Sequence, residues 1–240
     1  TNFSSPAPFI RAVRSAVQRG LLTEEMLDER VGEVLRVKFW LGLFDEPYVA
    51  DINANEVVHS QESQQLALEA AEQSITLLKN NDILPLDKNK YGTIAVIGPN
   101  AVEKRSMLSR YGPVHVDIKT ILDGVKDAFP NNEILYAKGC NHIDPNFPNS
   151  DIKYFEITDE EEQMMREAEK VAVNADIILL SVGDNLRTVG ESASRLSLGL
   201  PGRQSELIDR IVALGKPVVL IHTGGRSASL MKASKTCDAI

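Results

Sequence analysis

Cysteine is scarce in this 240-residue sequence, which holds only Cys140 and Cys237. Two thiols so far apart exclude a disulfide-rich scaffold and any CxxC metal or redox motif, and they leave the redox compartment open. Basic clusters are missing too. Acidic side chains outnumber basic ones 34 to 26, a net charge of -8, with no long Lys/Arg run. That balance argues against a nucleic-acid binder or a basic membrane-surface protein. The most apolar stretches, Ile177–Val182 and Pro217–Ile221, fall far short of the roughly 20 residues a membrane-spanning helix needs. There is no internal repeat and no low-complexity tract. The histidines (His59, His115, His142 and His222) are scattered, without HExxH or paired spacing, so neither a metal site nor a cofactor is expected. What remains, 43% hydrophobic and 25% charged, is an ordinary globular composition of one to two domains. The start at Thr1 and the apolar end at Ile240 suggest a chain cut at both ends, so the missing leader carries no information about location.

The first ninety residues read as helix. Pro6 and Pro8 can open a helix carrying Phe9, Ile10, Val13, Ala16 and Val17, with Gly20 as its stop. Thr23 followed by Glu24 and Glu25 is an N-cap with acid in the first turn, and apolar residues recur at helical spacing to about Leu41. Phe39, Trp40 and Phe44 are expected in a core. Residues 45–59 read as a linker. A third helix is expected from Ser60 to near Asn80, burying Leu66, Ala70, Ala71, Ser74, Ile75 and Leu78.

From Tyr91 strands and helices alternate. Thr93–Ile97, Ile134–Ala137, Asp176–Val182 and Pro217–His222 are short apolar runs without alternation, as a parallel strand covered on both faces requires. Helices are expected over Ile118–Phe129, Asp159–Asn174 and Pro201–Leu214. The order predicts an α/β fold: an open, mostly parallel sheet with helices on both faces.

Ligands of open α/β sheets bind outside the carboxyl ends of the strands. The first strand leads into Gly98-Pro99-Asn100, which lacks both the GxGxxG and the GxxxxGK[ST] spacing. NHIDPNFPNSD at 141–151 reads as a surface loop, and the acid run Asp159–Glu162 as a solvated helix start. His222 reads as a hydrogen-bonded core residue. The stretch VGDNLRTVGESASRLSLGLPG, from Val182 to Gly202, is long for a strand-to-helix connection, where about 2–6 residues are usual, and long loops of this kind are often functional. Two readings are open. Either Glu191 and Arg195 pair with each other on a solvated loop, or the small residues around them let a bulky polar ligand approach the backbone.

The run VGDNLRTVGESASRLSLGLPGRQSELI resembles the α/β sandwich domain of glycoside hydrolase family 3, where a strand ending in VG precedes a loop with GE and (S/D)R and then L-x-LPG-x-Q-x-x-LI. Other pieces fall in the family's order: RVKFWLGLFDEP at 36–47, LLKNNDILPL at 77–86, AVIGPNA at 95–101, YAKGC at 136–140 and GKPVVLIHTGGR at 215–226. The chain looks most like the periplasmic β-glucosidase branch. The resemblance implies that residues 1–44 are the last helices of a (β/α)8 barrel, 45–90 a linker and long helix, and 91–240 an α/β sandwich truncated at its C-terminal side.

It also implies a retaining exo-glycosidase, with two carboxylates about 5–5.5 Å apart flanking the scissile bond. Glu191 matches the family's general acid/base. Arg195 would position the loop or bond a sugar hydroxyl, and direct pairing of Arg195 with Glu191 would count against the acid role. Tyr111, in Arg110-Tyr111-Gly112-Pro113, matches an aromatic that stacks on the sugar in the leaving-group subsite, although a lone tyrosine among 5% aromatics also suits a loop anchor. The nucleophile, an aspartate of the family's barrel in a segment (S/T)D(W/Y/H), has no counterpart here. Ser150-Asp151-Ile152 lies in a polar loop of the wrong domain, and Thr158-Asp159-Glu160 is a helix N-cap.

The chain is therefore expected to supply half of a catalytic pair and to be inactive alone. Its partners would be an oligosaccharide or β-glycoside and the barrel domain that carries the nucleophile. β-Xylosidase or another exo-glycosidase activity remains open, as does a non-catalytic carbohydrate-binding or structural module. A periplasmic or secreted address is implied by the resemblance alone, and the oligomeric state is not indicated.

Overall fold

The computed structural model describes residues 6–48, 54–112 and 117–240, and the chain divides into two compact units, Thr1–Ile75 and Thr76–Ile240. The first unit carries α1 (Pro6–Gln18), α2 (Glu24–Trp40), the short α3 (Ala54–Val57) and α4 (Gln61–Ser74). The caps fall where the sequence puts them. Thr23 Oγ1 accepts from Met26 N at 3.3 Å, and Ser60 Oγ accepts from Ser63 N at 3.3 Å. Burial does not follow. Helices α1, α2 and α4 bury no residue, and Phe39, Trp40, Phe44 and Leu66 are all exposed. An amphipathic helix hides its stripe only against a second layer, and the described residues of this unit do not provide one.

Helix α4, expected to run to near Asn80, ends at Ser74, and the expected burial of Ile75 and Leu78 does not occur. Backbone pairing explains the stop. Leu78 N and Lys79 N donate to Ile240 O, Ile240 N donates to Lys79 O, and Asn81 N donates to Asp238 O. Residues 78–81 are thus extended along the end of the chain, which itself pairs with a strand through Leu220 N to Ala239 O. The second unit accordingly begins at Thr76, ahead of the Tyr91 at which the strand–helix rhythm sets in.

Strands β1 (Thr93–Ile97), β2 (Glu133–Ala137), β3 (Ile177–Gly183) and β4 (Val218–Thr223) form a wholly parallel sheet in the order β2-β1-β3-β4. Each lies within a residue of its predicted place at either end. Successive side chains point to opposite faces, so each central strand feeds two cores. Ile178, Leu180, Val182 and Leu220 pack with Met165 of α6 (Asp159–Val173), with Leu207 and Ile211 of α7 (Gln204–Val212), and with Ala233 of α8 (Met231–Thr236). Ile94, Val96, Ile177, Leu179 and Val219 pack with Leu122 of α5 (Ile121–Ala128), Tyr91 and Phe129. The helices therefore cover both faces, as an α/β sandwich requires. Each fully buried aliphatic side chain contributes about 1.5–3 kcal/mol.

Cys140 and Cys237 are free and fully buried in the first of these cores. Burial pushes both thiols up from the ordinary cysteine range. Only a thiolate reacts rapidly with thiol reagents. A colorimetric disulfide reagent should leave both thiols unlabelled in the native protein and titrate both in denaturant; fast native labelling would contradict the packing.

Candidate active site

Strand order reverses between β1 and β3, whose crossovers leave for opposite sides, and this is where open α/β sheets form ligand crevices. Two glycines bring the backbones together there. A Cβ on Gly98 (φ 120°) would lie 1.9 Å from Ser181 O, and one on Gly183 (φ 146°) 1.8 Å from Thr223 O. Only glycine satisfies both the backbone angle and the contact. The loops after β1, β3 and β4 then enclose a cleft of about 350 Å3, with Asn100, Ser106, Tyr111, Asp184, Val189 and Gly224 in its wall.

Glu191 stands at this edge, in the loop between β3 and α7, and is exposed. Its neighbours Gly190 (φ 107°) and Ser192 (φ 61°) both have positive φ. A left-handed serine costs about 1–2 kcal/mol, so the surroundings must hold it. Tyr111, exposed in the loop after β1, donates its phenol hydrogen to Glu191 Oε2. That bond, desolvation and the glutamate's charge raise the phenol above the ordinary tyrosine range, and Arg110 opposes the rise. Arg110 gives one nitrogen to Glu191 O and another to Leu186 O at 2.9 Å.

Arg195 does not pair with Glu191. Its guanidinium is buried against Asp151, with Nη2 2.8 Å from Oδ1 and Nε 3.3 Å from both carboxylate oxygens, while Nη1 donates to Gly199 O at 2.7 Å. The two predicted residues of this loop thus face different partners, and the contacts of Arg195 are those of a loop anchor. The segment 141–151 is correspondingly not a plain surface loop. Asp151 and Asp144 have buried carboxylates turned toward Arg195 and Arg203, the second pair at 3.9 Å. Nor is the acid run at the start of α6 wholly solvated. Thr158 caps it, accepting from Glu161 N at 3.2 Å, but the Glu161 side chain is buried 3.8 Å from Arg203. Burial raises the Glu161 carboxyl above the usual range, and Arg203 opposes that rise.

Several residues of the site region have contacts that a reading of the sequence does not supply, although Asp184 and the loop 223–226 stand out in it by position. Gln204 is fully buried, accepts from Gly183 N at 2.6 Å and donates to Gly183 O at 2.9 Å, closing the end of β3. Its signal was present as the Gln of LPG-x-Q. Helix α7 begins at Gln204 and not at Pro201, because left-handed Gly202 (φ 59°) interrupts the helical backbone between them. Buried Asp184 accepts from Thr188 Oγ1 at 2.8 Å. Arg226, after β4, donates to Thr188 O and to Ala193 O at 2.9 Å. His222 is half-buried, and burial lowers its imidazole against the pull of Asp184. The hydrogen bond expected of it is not made at Nε2, which has no partner among the described residues. His115 lies outside the described residues. Among the described residues no group of three or more His, Cys, Asp or Glu side chains is arranged to hold a metal ion, and no helix is long and apolar enough to cross a membrane.

These features define an α/β sandwich domain that presents an exposed carboxylate, gripped by a phenol, at the switch point of a parallel sheet. Residues 75–240 match the glycosyl hydrolase family 3 C-terminal domain, and the chain belongs to that family. It is 34% identical over 242 residues to a periplasmic β-glucosidase of Salmonella typhimurium, covering 93% of this chain and 31% of that protein. It is 37% identical over 213 residues to a β-xylosidase of Formosa agariphila, covering 85% of this chain and 27% of that protein. Among solved structures, a β-glucosidase from Erythrobacter marinus superposes with a TM-score of 0.81 at 30% identity, over 95% of this chain and 32% of that one. The chain thus spans less than a third of the length of these relatives.

Proposed function

We propose that the chain is the acid/base-bearing part of a retaining, exo-acting glycoside hydrolase that releases terminal β-linked glucose. The observation that carries this reading is Glu191, held by Tyr111 at the sheet's switch point in a chain of this family. Retention proceeds by two displacements. A carboxylate of the barrel, outside this chain, attacks the anomeric carbon while Glu191 gives its proton to the departing oxygen. Glu191, now a carboxylate, then takes a proton from water as the water's oxygen displaces the enzyme from the sugar. Tyr111 spends its hydroxyl on Glu191 and keeps an exposed ring face for a sugar. Arg195 serves the loop's position.

A β-xylosidase reading has its own support in the 37% identity to the Formosa agariphila enzyme. The domain boundaries proposed are the end of the barrel over residues 1–44, a connecting segment, and the sandwich. The proposed address, periplasmic or secreted, leans on the Salmonella typhimurium relative.

Proton NMR of the full-length protein acting on aryl β-glucosides and aryl β-xylosides tests this reading. The β-anomer should form first, with glucosides preferred. First formation of the α-anomer, or no hydrolysis of either, would overturn the reading; preference for xylosides would select the second. Residues 1–240 alone should give no turnover, because proton donation without a nucleophile or a formed cleft supplies too little.

A further inference from the structure

The loop that carries Glu191 is held by its own carbonyl oxygens. Leu186 O and Glu191 O go to Arg110, Thr188 O and Ala193 O to Arg226, and Gly199 O to Arg195. Arg110 and Arg226 reach in from the loops after β1 and β4, the strands on either side of β3. Glu191 is held at two points in this arrangement. Arg110 takes its main chain, and the next residue, Tyr111, takes its carboxyl. The Arg110 contacts found are to carbonyl oxygens, so the fork works on the backbone while a neutral phenol serves the acid group.

We propose that Arg110 is a positioning residue for proton transfer, fixing the main chain at Leu186 and Glu191 so that the Glu191 carboxyl is presented in one place. The inference rests on the acid/base reading of Glu191. Two geometric facts carry it. A two-pronged donor spans two carbonyls five residues apart in sequence, which a lysine ammonium on a flexible stem does not reproduce. The turn it holds contains left-handed Ser192, a conformation that persists only when its surroundings dictate it.

The test compares leaving groups in the full-length protein. For the sugar it prefers, kcat/KM is measured on a 2,4-dinitrophenyl β-glycoside, whose phenolate departs without a proton, and on a 4-methylphenyl β-glycoside, whose departure needs one. A displacement of the order of 1 Å costs about 100-fold in a reaction that depends on placement, so Arg110→Ala should lose roughly 10- to 100-fold on the methylphenyl substrate. Little change is expected on the dinitrophenyl one, and Arg110→Lys should recover only part of the loss. A residue that merely keeps the protein folded would affect both substrates alike. Arg110→Gln replaces Arg110→Ala if the alanine variant does not fold.

Glu191→Ala, measured in parallel, separates the two ways to fail. If it shows the leaving-group dependence and the Arg110 variants do not, the positioning role falls and the acid/base reading stands. If Glu191→Ala shows none, both fall.

Discussion

Glu191→Ala should reduce kcat/KM of the full-length protein on glycosides with poor leaving groups by about 100- to 10,000-fold, the usual worth of a placed general acid. The loss should shrink as the leaving group improves, because a departing oxygen that is stable as an anion does not need the proton. The second displacement tests the same carboxylate in its other role. Without a base to draw a proton from water, the glycosyl-enzyme should accumulate on the activated substrate. Azide, an anionic nucleophile that needs no deprotonation, should restore turnover and yield the glycosyl azide. Glu191→Gln keeps the size and the hydrogen bond from Tyr111 Oη but carries no transferable proton, so it should resemble the alanine variant on poor leaving groups. Near-normal rates in both variants would assign the phenol–carboxylate pair to the scaffold and leave the non-catalytic module as the better reading.

The sheet was legible because its information is local. Thr93–Ile97 and Ile177–Gly183 are runs in which every residue is buried or nearly so, and such runs announce a strand covered on both faces. The end of α4 was not legible, because Leu78 fits the helical period and its actual partner, Ile240, lies at the far end of the sequence. The same divide runs through the site. Glu191 could be picked out only by resemblance, since its glycine-flanked turn has no chemistry of its own until the Tyr111 loop is brought beside it. Arg110 and Arg226 bind carbonyl oxygens 81 and 33 positions away, and a carbonyl leaves no trace in residue identity. Asp151 resembles a nucleophile segment only superficially, and its role emerges only from the cation opposite.

Asp151→Ala should destabilise the sandwich unit by about 3–5 kcal/mol, the usual cost of leaving one member of a buried ion pair uncompensated. The two side chains keep only 4% and 5% of their surface exposed, so solvent does not replace what is lost. Asp151 also accepts from Leu196 N at 3.2 Å, so the variant strands a backbone donor as well as a guanidinium. Urea unfolding followed by circular dichroism measures the effect, and the exposed Lys119–Asp127 pair provides the control. Asp127→Ala should change the midpoint little, because water and salt screen that pair. The pairing predicts a further asymmetry. Converting both partners to apolar residues, Asp151→Leu with Arg195→Met, should recover much of the stability lost in Asp151→Ala, since neither buried charge then remains unpaired. An Asp151→Ala loss no larger than that of Asp127→Ala would show that the guanidinium finds other partners and that the loop does not depend on this pair. A large loss that the double variant repairs would establish the pair as the tether between the loops that follow β2 and β3, and hence as part of what holds Glu191 at the edge of the sheet.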